Sequence, residues 1–537
     1  MKATCLWAAV FGVVFASQGE GNVRRLSLAD YRDRVAAGWI GQMVGVEWGL
    51  PTEFKFRRIV PDDKVPAWTP KMVNGAYDND DLFVEMTFLR TLDRCGLFAS
   101  PGEAGIDFAN SRFGLCAANW VGRDNLRRGL APPASGHASE NPCADDIDYQ
   151  IESDFAGLVS PGLPQNAIRL GDVFGRMVSD GDGLWAGQFM GGLYAEAFFT
   201  DNVDRLLDAG LACIPAESQY AQMVRDVRAW HRESPGDWSA TWRKIKARYI
   251  DDPAYHRGRI DQLGSDVKPN GAFVVAGLLY GRGDIRESMR FAMRGGWDSD
   301  CNPSSVGGVL ATAKGLAALR AAFDFDLDRT RRFKFSAYRL DDVLALCERL
   351  ARAAVVAAGG RVVCDAAGVE WFEIPTVRPT PAPYAPSWAP APVSDARFTD
   401  AERRRIVEPA FPGIARLVRQ SVAADPPPIG LLADGKADWR KRIYLTNAPF
   451  ELDREELPIR ISGLTNTIIH LAWGKYHTTR PRTLFVFDRC DNVSLRHGTF
   501  WFDEPVGPDA PSLVETNGCR ACTFEHLQLR GRGNWLQ

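Results

Sequence analysis

Two short acidic clusters stand out by residue type and spacing. The segment from Gly295, GGWDSDCNPSSVGG, sets Asp298 and Asp300 one residue apart among glycines and just ahead of Cys301. Far upstream, NGAYDNDDLFVEMTFL places Asn79, Asp80 and Asp81 at the front of an apolar run with helical spacing. Each cluster alone has an ordinary reading, since Asp and Asn cap helices by accepting bonds from free amides and suit the positive end of the dipole. Two such clusters in one helical region point to chemistry. Crowded carboxylates raise each other's pKa and cost stability unless something positive sits between them. Mg²⁺ and Mn²⁺ are hard ions that take several oxygen ligands, and paired aspartates on facing helix starts supply them.

The elements that must position these residues are helices. From about Leu26 to Ala358, Ala, Leu, Val and Met recur at three- and four-residue spacing, broken by Gly and Asp. Runs such as NGAFVVAGLLYGRG and SSVGGVLATAKGLAALRAAF each read as one helix ending near a glycine. Their small residues suit close face-to-face packing. Between the acidic clusters, Asp148 and Asp154 (beside Phe155) and the Gly181-Asp182-Gly183 turn are candidates to line a substrate cleft. Glycines let amides approach a phosphate or sugar, and equally permit a plain turn. Trp185 is placed to stack on a base or sugar ring, with a core role as the simpler reading. The seven histidines form no HExxH pair and the serines no GxSxG elbow, which removes zinc peptidases and α/β-hydrolases from consideration.

The order of these motifs resembles the ADP-ribosylglycohydrolase family, the dinitrogenase-reductase-activating and ADP-ribosyl hydrolase fold. The resemblance rests on Asn79-Asp80-Asp81, on Asp298-Ser299-Asp300-Cys301-Asn302, on the glycine-rich opening helix Gly38 to Gly45, and on Gly49-Leu50-Pro51-Thr52-Glu53-Phe54. It covers roughly Leu26 to Ile374. It implies an all-α orthogonal bundle with one or two Mg²⁺ ions, or another divalent ion such as Mn²⁺, positioning a ribose for glycosidic hydrolysis. The implied metal ligands are Asn79, Asp80, Asp81, Asp298, Asp300 and Cys301. Glu53 and Asp81 are the implied catalytic carboxylates, Glu53 as general base or bridging ligand with Glu47 as its neighbour. Asp154, Gly181, Asp182 and Gly183 are assigned to substrate. Asn79 and Cys301 stand where the family has threonines, and Gln42 where it has an aspartate. A thiol is a poor partner for Mg²⁺.

The remainder of the chain sets the context. Its 537 residues are 45% hydrophobic, enough for one large core and a smaller domain. Lys and Arg number 64 against 67 Asp and Glu, so no net charge favours nucleic acid. Lys2 followed by the apolar run Leu6 to Phe15 and small residues reads as a signal peptide over 1–16, too short to span a bilayer. That predicts a secreted or periplasmic protein without a membrane span. Ten cysteines would remain, widely scattered, and the lone Cys519-x-x-Cys522 reads as a disulfide or as burial ahead of zinc.

The helical domain is expected over 25–374, then a Pro-rich, semi-rigid linker over 375–395, then an all-β domain over 396–537. Segments starting at Leu464, Cys490 and Cys519 superpose with offsets of 26 and 29 residues, suiting coils of a short parallel β-helix, with a β-sandwich as the alternative. The functional expectation is a metal-dependent hydrolase of an ADP-ribosyl or related ribosyl N- or O-linkage. Its alternatives are an exported glycoside hydrolase acting on a glycan, and a non-catalytic metal-containing binding protein. The partners are a small-molecule or glycan substrate; no protein partner is indicated.

Overall fold

The computed structural model describes residues 23–410, apart from 116, 142, 256–264, 387–389, 394 and 409. In the C-terminal part it describes 441–444, 450–451, 458–470, 475–502, 511–531 and 534–536. The leader-like residues 1–16 lie outside the described residues. No described helix is long and apolar enough to cross a membrane.

The opening helix, Leu28–Gly49, starts where Ser27 accepts the Asp30 amide as an N-cap. It is buried nearly throughout and lies against the Cys301–Lys314 helix. The pairing follows from a glycine stripe. A side chain at Gly41 would collide with the Gly307 carbonyl, one at Gly45 with Pro303 and Ser304, and one at Gly49 with Ser299 and Asp300. The two backbones therefore approach more closely than side chains would allow, and the contact runs straight to the second acidic cluster. Around this pair, the Asp80–Cys95, Asp182–Ala197, Val267–Tyr280 and Ile285–Arg294 helices complete a core continuous through the helical body.

The helical domain carries one small sheet that helical periodicity did not foretell. Val23–Ser27 pairs antiparallel with Glu370–Pro375, which pairs in turn with Arg361–Cys364. The strands are four to six residues long, too short for alternation to show in the sequence. They tie the start of the domain to its end near residue 374.

The Pro-rich stretch is a strap on the helical body rather than a free spacer. The Tyr384 ring packs 5.8 Å from that of Trp185, the Ala391 carbonyl meets His137 Nε2 at 2.8 Å, and the Ala131 amide donates to Ala396 at 3.0 Å. Packing continues past the expected boundary at 396. Phe398 and Ile406 join the helical core and the Arg405 guanidinium grips Glu103. Prolines that give up amide donors still bury apolar rings, so composition alone reads as linker.

The β-rich part is built on parallel ladders. Asp491–Phe502 pairs with Thr465–His470 on one side and with Thr523–Gly531 on the other. The registers Asp491 with Thr465 and Ser494 with Thr523 reproduce the sequence offsets of 26 and 29. A second parallel sheet joins Ile459–Ser462, Phe485–Asp488 and Val514–Asn517 at the same offsets. The ladders between these repeats are parallel, and the final strand, Asn534–Leu536, pairs antiparallel with Thr523–Gly531.

Candidate functional site

Three separate segments converge on one acidic bowl. The first is the front of the Asp80 helix, where Asn79 caps by accepting the Asp81 amide at 2.9 Å. The second is the turn 298–300, whose carbonyls start the next helix through Asn302 and Ser304. The third is the loop after the opening helix, which carries Glu53. The last two are clamped together: the Phe54 amide donates to the Trp297 carbonyl and the Trp297 amide to the Phe56 carbonyl, both at 2.8 Å. Phe54 and Trp297 hold left-handed backbone, φ 49° and 55°, a strained conformation for aromatic residues that the clamp over-determines. Trp297 is anchored on Phe273, with rings 5.9 Å apart, and Thr52 shares a 2.7 Å hydrogen bond with Ser299.

The floor of the bowl is buried and its rim open. Asp81, Asp298 and Asp300 are 1%, 3% and 3% exposed, whereas Glu53 is half-buried and Asp80 exposed. Asp80 is nonetheless walled by protein on most sides, as a residue lining a concavity must be. Burial raises all five carboxyls, and acidic neighbours add to the rise of Glu53, Asp81, Asp298 and Asp300. Burial followed by Asp300 and Asp80 pushes Glu53 up to about 8, and burial pushes Asp298 up to about 7. Asp81 and Asp300 are raised well above the carboxylate range, chiefly by burial and then by their acidic neighbours. No Lys or Arg is among the groups that chiefly shape Asp80, Asp81, Asp298 or Asp300.

These residues fit a divalent cation. Asp81 Oδ2 and Asp298 Oδ1 are buried oxygens with no hydrogen-bond partner, a costly condition that a cation relieves. Ligand atoms of Asp298, Asp300 and Cys301 lie within 4.8 Å of one another. Cys301 also does something a threonine hydroxyl would do at shorter range. Its thiol, pushed far up by burial and by Asp298, Asp300 and Asp81, donates to Asp81 Oδ1 at 3.3 Å and ties the two motifs together.

Behind the floor lies a layer that sequence reasoning only partly found. Asp154 is buried there, not on the cleft surface. The Gln42 amide, turned with its nitrogen inward, donates to Asp154 Oδ2 at 3.0 Å and Glu85 Oε1 at 3.2 Å. Glu85 accepts the Phe155 amide at 2.7 Å, and Asn119 bridges Asp148 and Glu152. Glu85 and Glu152 were missed. Glu85 sits one helical turn after Asp81, on the same face, and that i, i+4 spacing is the signal by which the sequence marks it. Glu152 has no comparable local signal.

The remaining candidates belong elsewhere. Asp182 accepts the Tyr220 amide at 2.9 Å, Gly183 packs on the Ala144 carbonyl, and Gly181 opens onto a cavity of about 310 Å³ beneath the strap. This turn seats the Asp182 helix against its neighbours. Trp185 is buried and lines the same cavity. Glu47 is buried against Gly75 and pushed up to about 7 by burial and then by Asp78, apart from the Glu53 loop.

Residues 27–358 match the sequence model of the family described as ADP-ribosylglycohydrolase. The chain belongs to the ADP-ribosylglycohydrolase family. The match spans every segment of the bowl, from the Glu53 loop to the Asp298 turn. Among solved structures, one described as an "ADP-ribosylglycohydrolase-related protein complex" is 18% identical, covering 61% of this chain and all of that one with a TM-score of 0.38. No curated protein matches the chain.

Proposed function

We propose that this ADP-ribosylglycohydrolase family member is a divalent-metal-dependent hydrolase of an ADP-ribosyl or related ribosyl N- or O-linkage. The observation that carries the reading is the bowl, in which carboxyls from three segments crowd, Asp81 and Asp298 keep buried, unpartnered oxygens, and no Lys or Arg among the described residues chiefly shapes the four aspartates. Asp81, Asp298 and Asp300 would hold Mg²⁺ or Mn²⁺ at the floor, with Asp80 at the rim. A cation bound there supplies Lewis acidity toward ribose hydroxyls and water.

The chain's own groups do the rest. Asn79 and Cys301 fix Asp81 through its amide and its carboxylate, so the ligand need not reorganise when substrate arrives. The Gln42, Glu85 and Asp154 layer supports that floor from behind. Glu53, half-buried on the rim, has access to water and to a sugar in the bowl. Burial, and then the negative field of Asp300 and Asp80, favour its protonated form, and neutralising that field frees it to accept a proton from the attacking water.

A second substrate class, an extracellular glycan, is favoured by one observation: the parallel ladders at offsets of 26 and 29, a stacked form suited to extended binding surfaces. The leader pattern supports export. The experiment is hydrolysis of ADP-ribosyl-arginine, ADP-ribosyl-serine and glycan oligomers with Mg²⁺, Mn²⁺ or chelator. Metal-dependent release of ADP-ribose is the expected result. Release of sugar from a glycan alone keeps the site and changes the substrate. Metal binding without turnover of any of them returns the protein to the non-catalytic reading.

A further inference from the structure

We propose that Cys490, Cys519 and Cys522, in the β-rich part, form a thiol–disulfide exchange site with Cys519 as the shared sulfur. All three are free thiols. Cys490 and Cys519 occupy equivalent corners of successive repeats, each just before a long strand of the parallel ladder and just after a left-handed residue, Arg489 at φ 51° and Gly518 at φ 60°. Stacking therefore brings together residues 29 apart in sequence. The Cys490 amide meets Cys519 Sγ at 3.4 Å, and the Cys522 thiol reaches the Cys490 carbonyl at 3.9 Å, so both sulfurs gather on one residue of the repeat beneath. The Cys519 thiol also lies within hydrogen-bonding reach of the thiols of both Cys490 and Cys522.

The shape of the cluster favours exchange over metal binding. A tetrahedral thiolate site needs sulfurs closing around one centre, with bonds of about 2.3 Å. Among the described residues, the one set of three ligand groups within 4.8 Å of each other is Asp298, Asp300 and Cys301, not these cysteines. A central sulfur with a neighbour on each side is instead what exchange requires, because a thiolate attacks one sulfur of a disulfide and displaces the other. Access is graded to match. Cys490 is 1% exposed, while Cys519 and Cys522 are half-buried and reachable from solvent.

The reaction takes a low-molecular-weight disulfide, RSSR, as oxidant. The Cys519 thiolate attacks RSSR, forming a Cys519–SR mixed disulfide and releasing RS⁻. The Cys522 thiolate then attacks Cys519 and expels the second RS⁻. Two protein thiols lose two protons and two electrons, and RSSR becomes two RSH. Cys490, packed beneath, reopens the bond by attacking Cys519, which joins Cys490 to Cys519 and frees Cys522 as a thiol.

The test uses the full chain, reduced and then equilibrated with glutathione disulfide, with peptide mapping by mass spectrometry after differential alkylation. The exposed free thiol of Cys364 serves as the reference. Wild type is expected to lose two thiols at this corner, joined as Cys519–Cys522. Cys522→Ser should redirect the bond to Cys490–Cys519, and Cys519→Ser should leave no bond between Cys490 and Cys522. Three alkylatable thiols after oxidation of the wild type would overturn the proposal, as would a Cys490–Cys522 bond in Cys519→Ser. Stoichiometric zinc that protects all three from alkylation until chelator is added would replace it with a metal site. The wild-type map needs no variant to fold.

Discussion

The bowl and the pocket around Lys268 are both buried gatherings of aspartates, and they resolve the same problem in opposite ways. Lys268 is 1% exposed, with its ammonium 3.5 Å from Asp266 and 3.9 Å from Asp145. The Asp266, Asp145 and Asp182 carboxylates hold that ammonium in its charged form despite burial. Backbone amides of Lys268 and Tyr220 satisfy Asp266 and Asp182. That cluster carries its own cation and joins the start of the Asp182 helix to the start of the Val267 helix. Among the described residues, no lysine or arginine is a chief influence on the bowl's four aspartates, and Lys55 acts only on Glu53 at the rim. Burial of like charge without a counterion is costly to the fold, which is the ground for the proposal that the bowl takes a cation from outside.

The sharpest way to break this comparison is to remove one carboxylate from the bowl. Asp298→Asn should lower turnover by roughly 10³-fold, because several kcal/mol of charge stabilisation at the reacting centre go with the metal. The same change should leave the metal-free protein as stable as wild type or more so, since it removes a repelling charge. Steady-state rates and urea unfolding without metal measure the two halves; a large loss of metal-free stability would contradict the reading.

Lys268→Met tests the other side. Removing the cation takes the ammonium from beside buried Asp266, and a broken buried pair costs about 3–5 kcal/mol. Urea unfolding should show that loss, and a divalent ion should not restore it.

A third test uses pH. Glu53 and Asp298 are pushed up to about 8 and about 7, whereas ordinary carboxyls titrate near 4. The folded metal-free state therefore binds more protons than the unfolded chain between these limits. The stability tied to those protons is fully present below about pH 4 and lost as pH rises through 7 to 8. A cation that displaces the protons should stabilise more at pH 8 than at pH 5, approaching about 2.7 kcal/mol at a hundredfold excess over its Kd. Thermal unfolding with and without Mn²⁺ across that range reads this directly.

The smallest effect belongs to Cys301→Thr. The hydroxyl keeps the donor to Asp81 and offers a harder oxygen to the metal, so turnover in Mg²⁺ should change by less than tenfold and affinity for Mg²⁺ should rise. Loss of activity in this variant would assign the thiol a role that its 3.3 Å bond to Asp81 does not explain.

The sequence alone determined which acidic residues are candidates for the site. Asp80, Asp81, Asp298, Asp300 and Glu53 were legible because acidic pairs among glycines and at helix starts are local patterns. The helical body and the offsets of 26 and 29 were legible for the same reason, since periodicity repeats along the chain. Tertiary structure decided what no local pattern encodes. The glycine stripe of the opening helix sets the distance between two motifs more than two hundred residues apart, and the Phe54–Trp297 clamp closes it. Only packing put Glu85 and Asp154 behind the floor, drew Asp182 away to its helix start and laid the Pro-rich segment on the body as a strap. Residue types fix which charges exist, whereas burial and neighbours fix whether a charge is satisfied, and those come from the folded chain as a whole.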